Sequence, residues 1–305
     1  MVGNNYSTTH KLVAEKPKGL MSLPDNPRRK AEGGLRKQGF FKTSFPGQPL
    51  ITVITVVFNG GKYIEQTILS VLEQDYINVE YIIIDGGSTD KTTEIIKRYD
   101  NYIDFWVSEP DSGMYEAINK GLEIMNGDYF ASLNSDDVYF DHNIISTMIE
   151  KFKADVNLFW LYGDFVVIDH SGAIKYRYNI PPFNWRALLF ADYCYIPQPT
   201  TFMKKQVIDK LGKFDQKFKL ASDYEYFLRV GESFRAEKIN RPVVKFRFHE
   251  ERLSEVRAEE AKRENRQIQG RYGLYGNYIL RIIYSLLIHF YFKLTNIGVY
   301  LKRII

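Results

Sequence analysis

Asp128-Tyr-Phe-Ala-Ser-Leu-Asn134-Ser-Asp136-Asp137 carries a short apolar run that stops in an amide and two adjacent carboxylates. Residues 129–133 predict a short buried strand. A strand that delivers acidic groups at its C-terminal end, ahead of a new helix, is how open α/β sheets build ligand sites. Oxygen donors at this density suit a hard divalent cation, magnesium or manganese, rather than zinc, and such a cation would hold a diphosphate. The alternative is a turn rich in Asn and Asp that caps the helix starting near Asp141. That reading accounts for Asp141 and gives Asp136 and Asp137 no reason to stand together.

On the N-terminal side, residues 51–57 (Ile-Thr-Val-Ile-Thr-Val-Val) are β-branched throughout, as in a strand buried on both faces of a parallel sheet. Phe58-Asn59-Gly60-Gly61 breaks the run. Ile64, Ile68, Val71 and Leu72 then fall on one side of a helix. A second strand at 81–84 ends in Asp85-Gly86-Gly87-Ser88-Thr89-Asp90, where Asp90 is placed to cap the next helix. A third strand covers about 103–107. Helical spacing then runs from Met114 to Met125, up to the Asn126-Gly127 stop. Beyond the acidic loop, Ile144, Ile145, Met148, Ile149 and Phe152 mark another helix. This alternation specifies an α/β domain, a mostly parallel sheet with helices on both faces.

After residue 155 the rhythm changes. Residues 158–169 and 173–178 read as an antiparallel hairpin about Ser171-Gly172. Helices are expected near 185–190, 204–211 and 223–230, and a strand at 243–248. We therefore divide the chain into a basic, mobile extension over 1–46, a domain over 47–255 and a C-terminal helical tail over 256–305. Within the domain, 47–155 forms the ligand half and 156–255 a mixed α/β half that meets a second substrate.

The 305 residues are 45% hydrophobic and 26% charged, an ordinary globular balance. A net charge of +4 is too weak to argue for nucleic acid, and it is compatible with anionic substrates or an anionic membrane surface. Cys194 is the single cysteine, so neither an internal disulfide nor a cysteine-based zinc site is available. A reducing, cytoplasmic compartment fits this usage. Residues 1–50 lack a continuous apolar run, so no secretory signal is expected. In the tail, the uncharged stretch 282–292 spans about 16 Å as a helix, roughly half a bilayer core. It would lie in a membrane interface with basic residues toward lipid head groups, or else dock on the protein.

Three strand ends thus present Phe58-Asn59, Asp85 and Asn134-Ser135-Asp136 on one sheet edge. Asp85 is suited either to accept hydrogen bonds from a nucleobase edge or to close the glycine turn behind it. In Ser222-Asp223-Tyr-Glu225, a capping box would pair Ser222 with Glu225 and leave Asp223 in the first helical turn. As structure alone, Asp223 is a favourable charge at a helix N-terminus.

The segments at 54–59, 84–90, 109–121, 127–137 and 222–229 together resemble family 2 of the nucleotide-sugar glycosyltransferases, which have the GT-A fold. The resemblance covers residues 50 to about 255. It implies that Asp85 contacts the base, that Asn134-Ser135-Asp136 is the metal motif, and that Asp111 and Asn119 line the donor pocket. It also implies that His249 lies near the metal and diphosphate, and that Asp223 is the general base. Two departures stand out. The motif is usually Asp-x-Asp, and Asn134 at its first position leads us to expect weaker metal affinity. The common acidic pair at the base appears as Ser222-Asp223.

The implied activity is inverting transfer of a sugar from a nucleotide diphosphate donor to a hydroxyl acceptor, with Mn2+ or Mg2+ as cofactor. By analogy within the family, the acceptor would be a lipid-linked glycan. The enzyme would then build cell-surface polysaccharide as a peripheral protein on the inner face of a bacterial plasma membrane. No QxxRW segment is present, which argues against a processive synthase. Two alternatives are a nucleotidyltransferase and a non-catalytic nucleotide-sugar-binding protein.

Overall fold

In the computed structural model of the chain, residues 13, 16–191, 193–248, 257–273 and 278–296 are described. They fall into two compact units, one of residues 1–156 with 202–213 and the other of residues 157–201 with 214–305.

The first unit is built on a six-stranded sheet: β1 (Ala31–Gly33), β2 (Ile51–Val57), β3 (Val79–Asp85), β4 (Phe105–Ser108), β5 (Tyr129–Asn134) and β9 (Phe202–Lys204). In space the order is β1-β4-β3-β2-β5-β9. β2, β3, β4 and β5 are mutually parallel, β1 pairs antiparallel with β4, and β9 pairs antiparallel with β5. Every residue of β2 and β3 is buried, as the β-branched runs require.

The helices α1 (Ile64–Leu72), α2 (Thr92–Arg98), α3 (Met114–Ile124), α4 (Ile144–Ala154) and α6 (Lys205–Leu211) join this sheet, with a two-residue strand, β6 (Val138–Tyr139), after β5. α1 packs beside α2, and α3 packs over β2 and β3. From β2 the chain steps to β3 and then β4 in one direction, and returns to place β5 on the other side of β2. β2 and β5 therefore straddle the point where the winding reverses, where open sheets part to admit ligands.

The segment before β2 differs from the mobile extension expected for residues 1–46. β1 pairs with β4, and two buried cations anchor the chain between β1 and β2. Lys42 Nζ lies 2.8 Å from Asp104 Oδ2, and Arg36 pairs with Glu80, with all four side chains nearly inaccessible. Burial pushes the Lys42 amine down and the Asp104 carboxyl up, and each is held against that pull by the other's charge. Glu80 also accepts from the Thr52 hydroxyl and the Asn126 N–H. The basic composition that suggested a solvated arm is in part a set of buried counter-charges.

The second unit holds β7 (Trp160–Ile168), β8 (Ile174–Tyr178) and β10 (Ala236–Arg247). β8 pairs with β7 as the expected hairpin, and β10 runs parallel to β7 with register shifts around Pro242, which has no N–H to give the ladder. α5 (Trp185–Phe190), α7 (Ser222–Ser233), α8 (Ala258–Arg271) and α9 (Tyr278–Thr295) complete it. Its core is aromatic, with Trp160 stacked on Phe227 at 5.6 Å and edge-on to Phe183 at 4.9 Å. β9 and α6 belong to the first unit, because β9 pairs with β5, and the helices beyond residue 256 belong to the second.

A candidate donor site on the sheet edge and a candidate base

The parallel strands deliver their C-terminal ends side by side: Val57 is in register with Asp85, Asp85 with Ser108, and Val56 with Asn134. The loops beyond these ends are laced together. Asn59, at φ 52° in the left-handed region, donates its N–H to Ser88 Oγ at 2.7 Å and accepts from the Thr89 N–H at 2.9 Å. Gly61 N–H donates to Asp90 at 2.9 Å, and the same carboxylate accepts from the Thr92 N–H in a turn just ahead of α2, whose N-cap position is Lys91 rather than the expected Asp90. Burial raises the Asp90 pKa, but these donors outweigh it and hold the group below the ordinary carboxylate range. Phe58 stands exposed beside this seam.

Asp85 is wholly buried. Its oxygens accept from the Ser88 N–H, the Ser88 hydroxyl and the Ser108 hydroxyl, the last at 2.5 Å. Of the two roles open to it in the sequence, closing the glycine turn is the one this geometry performs. Gly87 takes φ 84°, and a Cβ on Gly86 would stand 2.9 Å from Asp111 Oδ2, so the glycine pair is what lets Asp111 approach the turn. Asp111 is half-buried and accepts from the Gly113 N–H at 2.9 Å; desolvation raises its pKa, with Gly113 and Lys120 opposing. Asn119 is buried within α3. Lys120 Nζ lies 2.8 Å from Glu109, which Arg29 also holds at 2.8 Å. Burial pushes Glu109 up, and these two cations bring it below its ordinary range.

On the other side of the reversal point, Asn134 Nδ2 donates to Asp137 Oδ2 at 3.1 Å, and Asn134 Oδ1 is buried without a partner. Asp137 is fully buried, whereas Ser135 and Asp136 are partly exposed. Thr67 of α1 donates one hydroxyl to the carbonyls of both Ser135 and Asp137, at 2.8 Å each, and so fixes the backbone on either side of Asp136. Asp141 closes its own turn by accepting from the Asn143 N–H, just ahead of α4. Among the described residues no three His, Cys, Asp or Glu side chains converge as a closed metal cage. The arrangement fits a more open site. A cation of the magnesium type takes one or two carboxylates and completes its shell with substrate phosphates and water. The residues here that could hold such a cation are Asp136, through its carboxylate, and Asn134, through its unpaired Oδ1. His249 lies outside the described residues.

The arrangement of loops, the reversal point and the acidic strand end agree with the family comparison. Residues 52–212 match the model described as Glycosyl transferase family 2. The chain belongs to glycosyl transferase family 2. Within the family it is similar to an uncharacterized glycosyltransferase of Mycobacterium tuberculosis, at 32% identity over 60% of this chain and 69% of that one. It is also similar to an uncharacterized glycosyltransferase of Haemophilus influenzae, at 29% identity over 71% and 73%. Among solved structures, it resembles residues 1–349 of S. aureus TarS with a TM-score of 0.57 at 17% identity, over 81% of this chain and 73% of that one. Against another, longer TarS chain the match spans 42% of that chain. The mannosyltransferase PcManGT of Pyrobaculum calidifontis, solved with GDP-Man and Mn2+, matches with a TM-score of 0.50 at 19% identity, over 66% and 56%. The fold is that of the GT-A glycosyltransferases, as the family resemblance implied.

In the second unit of this family 2 chain, Asp223 occupies the first turn of α7, partly exposed. Its charge, added to a larger effect of burial, raises the pKa of the nearby Cys194 thiol. The capping box expected of Ser222 and Glu225 does not form. Glu225 instead makes a two-pronged pair with Arg229 one turn on, at 2.8 and 3.0 Å, and the buried Ser222 Oγ has no partner. An i,i+4 arginine offers two charged donors, which a single backbone N–H cannot match. The three backbone amides just ahead of the helix, those of Lys219, Leu220 and Ala221, are bound from α8, by Glu264.

The sequence reading missed Thr67, Ser88, Ser108 and Glu264, all of which orient loops rather than face a ligand. Thr67 carries a faint signal, a hydroxyl at a core position of α1. Glu264 carries none, since its partners lie more than forty positions away.

Proposed function

We propose that this glycosyltransferase moves a sugar from a nucleotide diphosphate donor to a hydroxyl acceptor with inversion, and that its first unit holds the donor. The observation that carries the reading is the juxtaposition, at the reversal point of the sheet, of the Phe58-Asn59 turn with the Asn134-Ser135-Asp136 strand end. In this reading the exposed Phe58 ring offers a stacking face to the base. Asp85 shapes the base pocket through the loop it closes, and Asn59 holds that loop against the next. Asp111 and Asn119 line the sugar side.

Asp136, with Asn134 Oδ1 beside it, would hold Mn2+ or Mg2+, which when bound offsets charge developing on the leaving diphosphate. Asn134 supplies no charge of its own, so affinity for the ion rests more heavily on the donor's phosphates. Asp223 takes the proton from the acceptor hydroxyl as the new glycosidic bond forms. One base and one displacement give inversion at the anomeric carbon, and no covalent sugar adduct on the chain is required.

We further propose that α9 places the enzyme on a membrane surface, where a lipid-linked glycan is the acceptor and the product is cell-surface polysaccharide. Ile288 and Phe292 face inward on this helix, whereas Leu286, Leu287, Phe290 and Leu294 are more than half exposed. Among the described residues no helix is long and apolar enough to cross a membrane. An interfacial position, cytoplasmic on the inner face of a bacterial plasma membrane, suits such a helix.

The experiment is a thermal-shift screen of UDP-, GDP- and dTDP-sugars with manganese, followed by donor turnover. Metal-dependent stabilisation by one donor class, with release of its nucleotide diphosphate, is the expected result. Stabilisation without release would favour a protein that only binds nucleotide sugars.

A further inference from the structure

Glu264 sits on α8, some forty residues beyond Asp223, yet its carboxylate is buried against the turn that begins the Asp223 helix. One oxygen accepts the N–H of Lys219, and the other accepts those of Leu220 and Ala221, all at 2.9 Å. Three successive backbone donors converge on one side chain, immediately before the first turn of α7. One turn further along α8, the Gln269 amide donates to the carbonyls of Leu189 and Ala191 at 3.0 and 2.8 Å, and to the Tyr224 hydroxyl at 3.3 Å. Tyr224 is the residue after Asp223, and its hydroxyl in turn donates to Leu189 at 2.9 Å. α8 therefore grips the Asp223 turn on one side and the end of α5 on the other.

We propose that Glu264 and Gln269 are positioning residues for Asp223: they fix the direction of its side chain and the charge around it without touching substrate. This rests on the reading of Asp223 as the general base. Two physical effects support it. The distant carboxylate holds the three residues that lead into α7, and the Tyr224 N–H donates to Asp223 Oδ1 at 2.8 Å, so the first-turn side chain is tied to a helix start that is itself fixed. The Glu264 charge also partly cancels the positive end of the helix, whose Tyr224 N–H stabilises the Asp223 carboxylate and weakens it as a base. A base suited to take a proton near neutral pH gains from that cancellation. A cap provided by Ser222 itself would be neutral and would not supply it.

The test compares Glu264→Gln, Glu264→Ala, Gln269→Ala and Asp223→Asn in the full chain, with UDP-GlcNAc and GDP-mannose in manganese as donors. Turnover, donor KM, the pH dependence of kcat, melting temperature and amide exchange at Lys219–Ala221 are followed. Glu264→Gln keeps the size and some of the hydrogen bonding and removes the charge. It should lower kcat by about tenfold, the scale of charge-assisted hydrogen bonds lost, and move the acid limb of the kcat profile to lower pH while donor KM holds. Glu264→Ala should lower kcat further and expose the three amides to exchange, with the glutamine variant in between. A Glu264→Gln enzyme with unchanged kcat and acid limb, beside a dead Asp223→Asn enzyme, would overturn the positioning role and leave the base intact. Lost melting temperature with unchanged kcat in both Glu264 variants would likewise make α8 a brace only. An active Asp223→Asn enzyme would remove the base and this inference together.

Discussion

Asn134 spends its amide on Asp137, donating Nδ2 to the buried Oδ2 at 3.1 Å, and so leaves its own Oδ1 buried and unpaired. An unmet buried acceptor of this kind is a standing energetic penalty, and under the proposed function a bound ion or ribose hydroxyl would relieve it. The departure from the usual acidic residue at this position therefore has a local reason: a carboxylate there would face Asp137 across the same gap.

Asn134→Asp tests that reason. Two carboxylates in one buried gap cannot both ionise freely, so one of them should carry a raised pKa. Such a group destabilises the fold most at pH above its folded pKa, and the deficit shrinks as pH falls through it. The variant should melt below the wild type at about pH 8 and approach it at about pH 5, the side nearer the ordinary carboxylate range. Thermal melts across that window, with and without manganese, check the sign; manganese should restore part of the loss.

Asp136→Ala should abolish manganese-dependent stabilisation by a nucleotide diphosphate and with it donor turnover. Calorimetric titration of UDP or GDP with and without manganese is the measurement. Wild-type turnover in manganese would mean that Asp136 is not the ligand.

The buried Lys42–Asp104 pair predicts a large stability effect far from any chemistry. Lys42→Met leaves Asp104 buried without its cation and should cost about 3–5 kcal/mol in chemical denaturation. The double change Lys42→Met with Asp104→Asn should recover much of it, since the uncompensated charge is gone.

Much of the parallel sheet was legible because β2 and β3 are buried on both faces and their composition says so. The strand-end residues were legible for the same reason, since each comes directly after an apolar run. The segment before β2 was not, because its order comes from Arg36 and Lys42 meeting Glu80 and Asp104, and a buried cation looks like a solvated one in sequence. The Ser222–Glu225 box failed for a related reason. Its local pattern was sound, but Arg229, one turn on, took the Glu225 carboxylate and left Ser222 Oγ without a partner.

On α9, replacing Leu286, Leu287 and Phe290 with serine should release the protein from anionic vesicles and leave its melting temperature within a few degrees. Sedimentation with vesicles rich in phosphatidylglycerol measures this. Retained binding would place the contact elsewhere.

The central claim is that Asp223 is the base, and donor turnover by Asp223→Asn, set beside Glu225→Gln and with donor affinity measured on both, tests it most directly. The account predicts that Asp223→Asn loses roughly 10²–10⁴ in rate with donor affinity nearly unchanged. Glu225→Gln, which loses a pairing with Arg229, should lose stability and keep most of its rate. An Asp223→Asn enzyme that turns over at the wild-type rate, beside a dead Glu225→Gln, would contradict it.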